Sequence, residues 1–250
     1  MSELVIVKDE GLIRIVRMNR PDKKNALTQE MYAAMADALE EAGRSEAIRC
    51  VVLAGAPGAF CAGNDLQDFL KAATGESGLG QTTLRFLHAL GEAKKPMVAA
   101  AQGVAVGIGT TMLLHCDYVV LGADARLATP FVALGLVPEA ASSLIAPRLM
   151  GYPRAFSLLV MGKPLDAEAA RAAGIANVVV PPSEAEAEAM KAAHEIAVLP
   201  AQAVAASRAL MRGDGAEIIK RIDEEGEHYR QRLKSPEARA ALEAFFARKR

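Results

Sequence analysis

The chain has 250 residues, 52% of them hydrophobic and 24% charged, with a formal net charge of −1. That length fills one large domain, or a domain with an appendage, and the balanced charge offers no footprint for nucleic acid or an anionic membrane surface. Three scattered cysteines, Cys50, Cys61 and Cys116, argue for a reducing compartment and against a disulfide framework or a zinc site.

Residues 3–7 and 12–18 read as two short strands around the turn Asp9-Glu10-Gly11. Thr28 is a predicted N-cap, followed by Met31, Met35, Ala38 and Leu39 at helical spacing. Residues 49–54 form an apolar strand. Residues 59–66 follow it as a small-residue loop that leads into a predicted helix. A helix over 79–93 places Leu84, Leu87, His88 and Leu90 on its inward face, and residues 96–101 form the next strand. The glycine-spaced loop Gly103–Gly109 then runs into an apolar helix ending near Cys116. Short strands are predicted at 118–121 and 126–128, helices from Glu139 to Met150 and after Tyr152, and a late strand within 174–180.

Beyond Ser183 the composition shifts to Ala, Glu, Lys and Arg, divided into helices by Pro200, the Gly213–Gly215 turn and Pro236. The strand-then-helix rhythm predicts an α/β core over 1–195 and a helical region over 196–250. The first residues, Met-Ser-Glu-Leu, lack the pattern of a signal or transit peptide. No apolar run reaches membrane-spanning length. A cytoplasmic protein is expected.

Two loops offer backbone N–H groups at a helix N-terminus, where a developing negative oxygen is stabilised. One is Ala59-Phe60-Cys61-Ala62-Gly63-Asn64-Asp65-Leu66. The other is Gln102-Gly103 through Gly109. Small residues before a helix usually serve packing alone. The second loop lacks the third glycine of a dinucleotide-binding G-x-G-x-x-G. Glu139 is the only carboxylate between Asp124 and Asp166. Pattern alone leaves two equal readings for it. It is either a first-turn helix acid, contributing about 0.3–1 kcal/mol, or a buried proton-transfer base with a raised pKa. His115 reads as a satisfied core histidine, Cys61 as a packing residue and Asp65 as a helix cap.

Asn19-Arg20-Pro21 with Asn25-Ala26-Leu27, Ala59–Leu66, Gly103–Gly109, Cys116-Asp117 and Leu134-Gly135-Leu136-Val137-Pro138 together resemble the enoyl-CoA hydratase/isomerase (crotonase) superfamily, in family order along the chain. The resemblance implies a spiral of β-β-α units, a C-terminal helical trimerisation region and homotrimers or hexamers. It also implies an acyl-CoA substrate, with no separate cofactor because coenzyme A is part of that substrate. By position, the amides of Asn64 and Ile108 form the oxyanion hole. Coenzyme A lies along Lys24, Ala26, Ala62, Gly63, Asn64, Asp65, Leu66 and Ile108.

The two glutamates with which family hydratases activate water are replaced here by Thr111 and Phe131. Glu139 falls where a subset of the family places a single base. The strings Gly-Asn-Asp-Leu, Ala-Val-Gly-Ile, Thr-Pro-Phe and Pro-Glu are similar to peroxisomal-type isomerases that move a 3-enoyl double bond to the 2-position. The implied activity is that isomerisation, with Glu139 catalytic. The rivals are enoyl-CoA hydration or thioester hydrolysis, for which Asp68 or Glu76 would supply a second acid, and a non-catalytic acyl-CoA-binding role.

Overall fold

Strands that are apolar on both faces form the centre of the computed structural model, which describes residues 4–65 and 80–247. Leu66, Asp68, Glu76 and the predicted helix after Asp65 lie outside the described residues.

A six-stranded sheet runs in the order β1 (Val5–Glu10), β2 (Ile13–Met18), β3 (Cys50–Gly55), β4 (Met97–Ala101), β6 (Tyr118–Gly122), β9 (Val178–Val180). The β1–β2 hairpin is antiparallel and every later pairing is parallel. Side chains alternate between two packed layers. Ile13, Ile15, Val52, Ala54, Val98 and Val120 face one layer. Val16, Met18, Leu53, Ala99, Val119 and Leu121 face the other. The first layer is closed by the alanine face of α7 (Ala185–Ala197), through Ala185, Ala189, Ala192 and Ala193. Alanine lets that helix lie close against the sheet.

The second layer is deeper. It takes in α1 (Gln29–Arg44), α2 (Gln81–Gly91), α3 (Ile108–Thr111) and a three-stranded sheet of β5 (Val104–Val106), β7 (Arg126–Ala128) and β8 (Leu165–Asp166). The Thr28 hydroxyl caps α1 by accepting from the Met31 N–H, as the sequence predicts. The helices α4 (Ser142–Met150), α5 (Tyr152–Leu159) and α6 (Ala167–Ala172) follow.

 Of these, α5 (Tyr152–Leu159) lies against α4.

Beyond α7 come α8 (Ala201–Arg212), α9 (Gly215–Leu233) and α10 (Pro236–Ala247). Helix α9 packs on α2, and α10 packs on the short turn Val132–Leu134. There the Cβ of any residue replacing Gly135 would lie 2.7 Å from the Ala238 backbone, so the C-terminal helix supports the segment leading to Glu139. Because α7 already covers the sheet, helical packing onto the core begins before residue 196. Among the described residues no helix is long and apolar enough to cross a membrane.

Three local features differ from expectation. Helix α2 buries Thr83, Phe86, Leu87, Ala89 and Leu90, while Leu84 and His88 are half-buried. The His88 Nε2 lies 2.9 Å from the Asp223 carboxylate of α9, which draws that edge of the helix outward. The glycine-spaced loop contains a strand, β5, because Val104–Val106 pairs with Arg126–Ala128. Helix α4 starts at Ser142, so Glu139 lies outside it.

Candidate active site

The two glycine-bearing loops are laced together by backbone hydrogen bonds. The N–H groups of Phe60 and Cys61 donate to the Val104 carbonyl at 3.1 and 3.0 Å, and the Val106 N–H donates to the Cys61 carbonyl at 2.8 Å. On the other side, Ala62 N–H donates to the Lys24 carbonyl, Leu27 N–H to the Gly63 carbonyl and Asp65 N–H to the Leu27 carbonyl, at 2.8–2.9 Å. Residues 24–27 and 62–65 therefore run side by side. Gly109 permits the approach, since a Cβ there would fall 2.4 Å from the Cys61 carbonyl oxygen. Gly63 has φ +92° and its Cβ would meet the Val106 carbonyl oxygen at 3.0 Å.

Among the donors this lacing does not use are the N–H groups of Asn64 and Ile108. Leu27 bonds to the residues on either side of Asn64, so the Asn64 N–H points away from that bridge. Ile108 opens α3, where the first N–H groups have no partner within the helix. Among the described residues neither N–H donates a hydrogen bond.

Glu139 is 8% exposed. The Thr111 hydroxyl, one helical turn beyond Ile108, donates to its Oε1 at 2.5 Å. Tyr32 donates its hydroxyl to Asn64 Oδ1 at 2.6 Å. Glu139, Tyr32, Asn64, Leu87 and Tyr229 line one cavity of about 30 Å³, room for a water or two. A far larger groove, about 840 Å³, runs between α4 and α8 and includes neither Glu139 nor Asn64.

Burial pushes the Glu139 carboxyl up to about 8. The Thr111 hydrogen bond opposes that rise, and the charge of Glu225 adds to it. Burial, with the Glu139 charge second, also holds the Tyr32 and Tyr229 phenols above their usual range. Replacing Thr111 with valine removes the one contact that favours the ionised form. The titration midpoint of the Glu139 carboxyl, followed by carbon-13 NMR, then moves upward from about 8. A midpoint that stays in place would show that Thr111 does not stabilise the carboxylate.

The turn after Glu139 is strained. Ala140 and Ala141 have φ of +60° and +52°, a left-handed conformation costing about 1–2 kcal/mol for each such residue. The His115 imidazole donates through Nε2 to the Ala140 carbonyl at 2.8 Å. Burial pulls the His115 pKa down to about 4, which keeps the ring neutral. Ser142 N–H returns to the Glu139 carbonyl at 3.1 Å. The Glu225 carboxylate, 6% exposed, accepts from the Ser143 N–H at 2.9 Å.

Lys24 is exposed with φ +50°, and Ala26, Ala62 and Asn64 are half-buried. Asp65 is 8% exposed and accepts from Arg20 Nη1 at 2.6 Å; the helix it is expected to cap lies outside the described residues. Cys61 is buried, with its thiol pushed up to about 12 by that burial, which suits packing rather than nucleophilic attack. Phe131 is buried, with its ring 3.8 Å from where a Gly107 Cβ would stand. Sequence reasoning missed Tyr32, Tyr229 and Glu225. For Glu225 a signal exists: it continues the stripe Ile218, Ile222, Glu225, Tyr229, Leu233, the buried face of α9.

Residues 8–250 match the family model described as enoyl-CoA hydratase/isomerase. The chain is 31% identical to the 1,2-epoxyphenylacetyl-CoA isomerase of Escherichia coli K12, over 100% of this chain and 97% of that protein. It is 36% identical to enoyl-CoA delta isomerase 2 of Rattus norvegicus, over 99% of this chain but only 64% of that protein's length. Among solved structures, OdaA of Pseudomonas aeruginosa superposes with a TM-score of 0.92 at 44% identity, covering 98% of this chain and 99% of that one. An enoyl-CoA hydratase/isomerase from Pseudoalteromonas atlantica gives 0.93 at 39% identity, with 98% of each chain covered.

Proposed function

The chain belongs to the enoyl-CoA hydratase/isomerase family, and on that premise we propose that it is an enoyl-CoA isomerase moving a 3-enoyl double bond to the 2-position. The observation that carries this reading is that Glu139, buried and held one helical turn from Ile108, is the one carboxylate among the described residues lining the cavity it shares with Asn64. The Glu139 carboxylate takes the C2 proton of the bound thioester. The C2–H electron pair becomes the C1=C2 bond of a dienolate as the carbonyl π pair moves onto the thioester oxygen. The N–H groups of Asn64 and Ile108 receive that oxygen. Protonated Glu139 then returns the proton to C4, which takes it with the C3=C4 pair. The C1=C2 pair shifts to C2=C3 and the carbonyl re-forms, with no net change of atoms.

A preorganised oxyanion donor typically contributes ~3–4 kcal/mol, and a positioned base accelerates roughly a hundred- to ten-thousand-fold. With a pKa of about 8, about a tenth of Glu139 is ionised at pH 7, a poise suited to both taking and returning a proton. Hydration demands a second acid to hold water. The two positions that supply water-activating glutamates in family hydratases are Thr111 and Phe131, whose side chains transfer no proton in that role. Coenzyme A enters along residues 24–26 and 62–66 as part of the substrate, and no separate cofactor takes part. The reaction is cytoplasmic in this reading.

Product mass decides between the reactions. Incubating the protein with a 3-enoyl-CoA should yield a 2-enoyl-CoA of unchanged mass. A dominant product heavier by one water would overturn the isomerase reading in favour of hydration, and release of free coenzyme A would favour hydrolysis.

The reading includes assembly into homotrimers, alone or paired into hexamers. Helix α8 has no buried residue, and it exposes Leu210 at 85% and Met211 at 87% near its C-terminal end. Large apolar side chains left exposed side by side in this way suit an interface. Sedimentation should give a mass three or six times the 26.4 kDa chain. Aspartate at both Leu210 and Met211 should reduce it. A monomeric native protein would contradict the assembly.

A further inference from the structure

We infer that Glu225 is a positioning residue, which clamps the N-terminus of α4 so that the left-handed turn carries Glu139 at a fixed place in the cavity. The inference rests on Glu139 being the base of the proposed isomerase. Helix α4 has no side-chain cap from its own N-cap residue, Ala141. Glu225 supplies the acceptor instead, from α9, 82 residues away in sequence, through the bond to the Ser143 N–H. A carboxylate suits that place, because helix N-termini favour negative charge. Arg221, one turn earlier on α9, holds the Ser143 hydroxyl at 3.1 Å. Two side chains of one helix therefore grip one residue of α4.

The grip lies next to the strain. Ala140 and Ala141 bridge Glu139 to Ser142 with positive φ at both positions, and such backbone persists only where its surroundings over-determine it. His115 fixes the Ala140 carbonyl on one side and Glu225 fixes the start of α4 on the other. Among the described residues Glu225 Oε2 is buried without a hydrogen-bond partner. A merely structural cap gains little from so costly a group, since a buried carboxylate with an unpaired oxygen disfavours the fold. What the arrangement secures is the position of a group whose displacement by 1 Å costs about a hundredfold in rate.

Two variants test this. Glu225→Met keeps the volume and removes both acceptor and charge, an exchange that buried charges often tolerate without loss of stability. Glu225→Gln restores the acceptor for the Ser143 N–H without the charge. With 3-enoyl-CoA, Glu225→Met should lower kcat at least tenfold with KM changed by less than about threefold, at undiminished Tm. Glu225→Gln should recover most of that kcat. Native kcat in Glu225→Met, equal losses in both variants, or a kcat loss matched by a fall in Tm would overturn the inference. Glu139→Gln, assayed alongside, separates the two readings. Should it retain native turnover, the base assignment fails; should it be inactive while Glu225→Met is fully active, only the clamp fails.

Discussion

On the proposed mechanism, Glu139→Gln should lower turnover of a 3-enoyl-CoA roughly a hundred- to ten-thousand-fold. Glutamine keeps the shape and can still accept from Thr111, but it takes no proton from C2. No described side chain in the cavity replaces it. Tyr32 and Tyr229 carry phenols held neutral by burial, and the Glu225 carboxylate is turned to the N-terminus of α4. Steady-state assay with a 3-enoyl-CoA measures the loss. In the wild type, kcat/KM rises with pH through about 8, the pKa of the free base, and the variant lacks that limb.

The same substitution changes stability in the opposite sense. An unfolded glutamate titrates near 4.5 and the folded Glu139 near 8. Between those values the folded state holds a proton that the unfolded state has lost. Stability from this group is therefore full below pH 4.5 and falls as pH rises to about 8, by at most ~1.4 kcal/mol per pH unit. Glu139→Gln removes that slope, so at pH 8 the variant melts above the wild type. Thermal melts at pH 5 and pH 8 measure this. A difference independent of pH would mean that Glu139 is not buried as described.

Gly109→Ala destabilises the protein by about 1–3 kcal/mol or more and removes most of its activity. The added methyl would lie 2.4 Å from the Cys61 carbonyl oxygen and 2.9 Å from the Cys61 Cβ. Backbone must give way on one side, and the loops that carry Asn64 and Ile108 part. Gly215→Ala is the matched control, because nothing lies within 4 Å of its Cβ position at the start of α9. Its stability changes by less than about 0.5 kcal/mol, or rises slightly. Urea unfolding of the two variants measures both. Equal stabilities would show that the loops do not meet at Gly109.

Much of this architecture is written in local signals. The β1–β2 hairpin and the buried strands stand out because apolar runs bounded by turn residues have few alternatives. Thr28 caps α1 by a bond within three residues. The apposition of residues 59–65 with 103–109 depends on glycines whose need is steric, so glycine spacing alone marks the loops. What was not legible depends on distant groups. Ala140 and Ala141 carry no turn signal, yet both are left-handed, because His115 and Glu225 hold the backbone from other elements. That is why the helix after Glu139 starts three residues later than its composition suggests. Glu225 sits among apolar residues of α9 as though misplaced, and only the fold shows that it meets the Ser143 N–H.

The most direct measurement is the structure of the Glu139→Gln variant with a 3-enoyl-CoA bound. The thioester oxygen is predicted to lie about 2.7–3.1 Å from both the Asn64 and the Ile108 N–H, with the side chain of residue 139 facing C2 and C4 of the acyl chain. A thioester oxygen held by neither amide, or C2 and C4 facing a different carboxylate, would contradict the account.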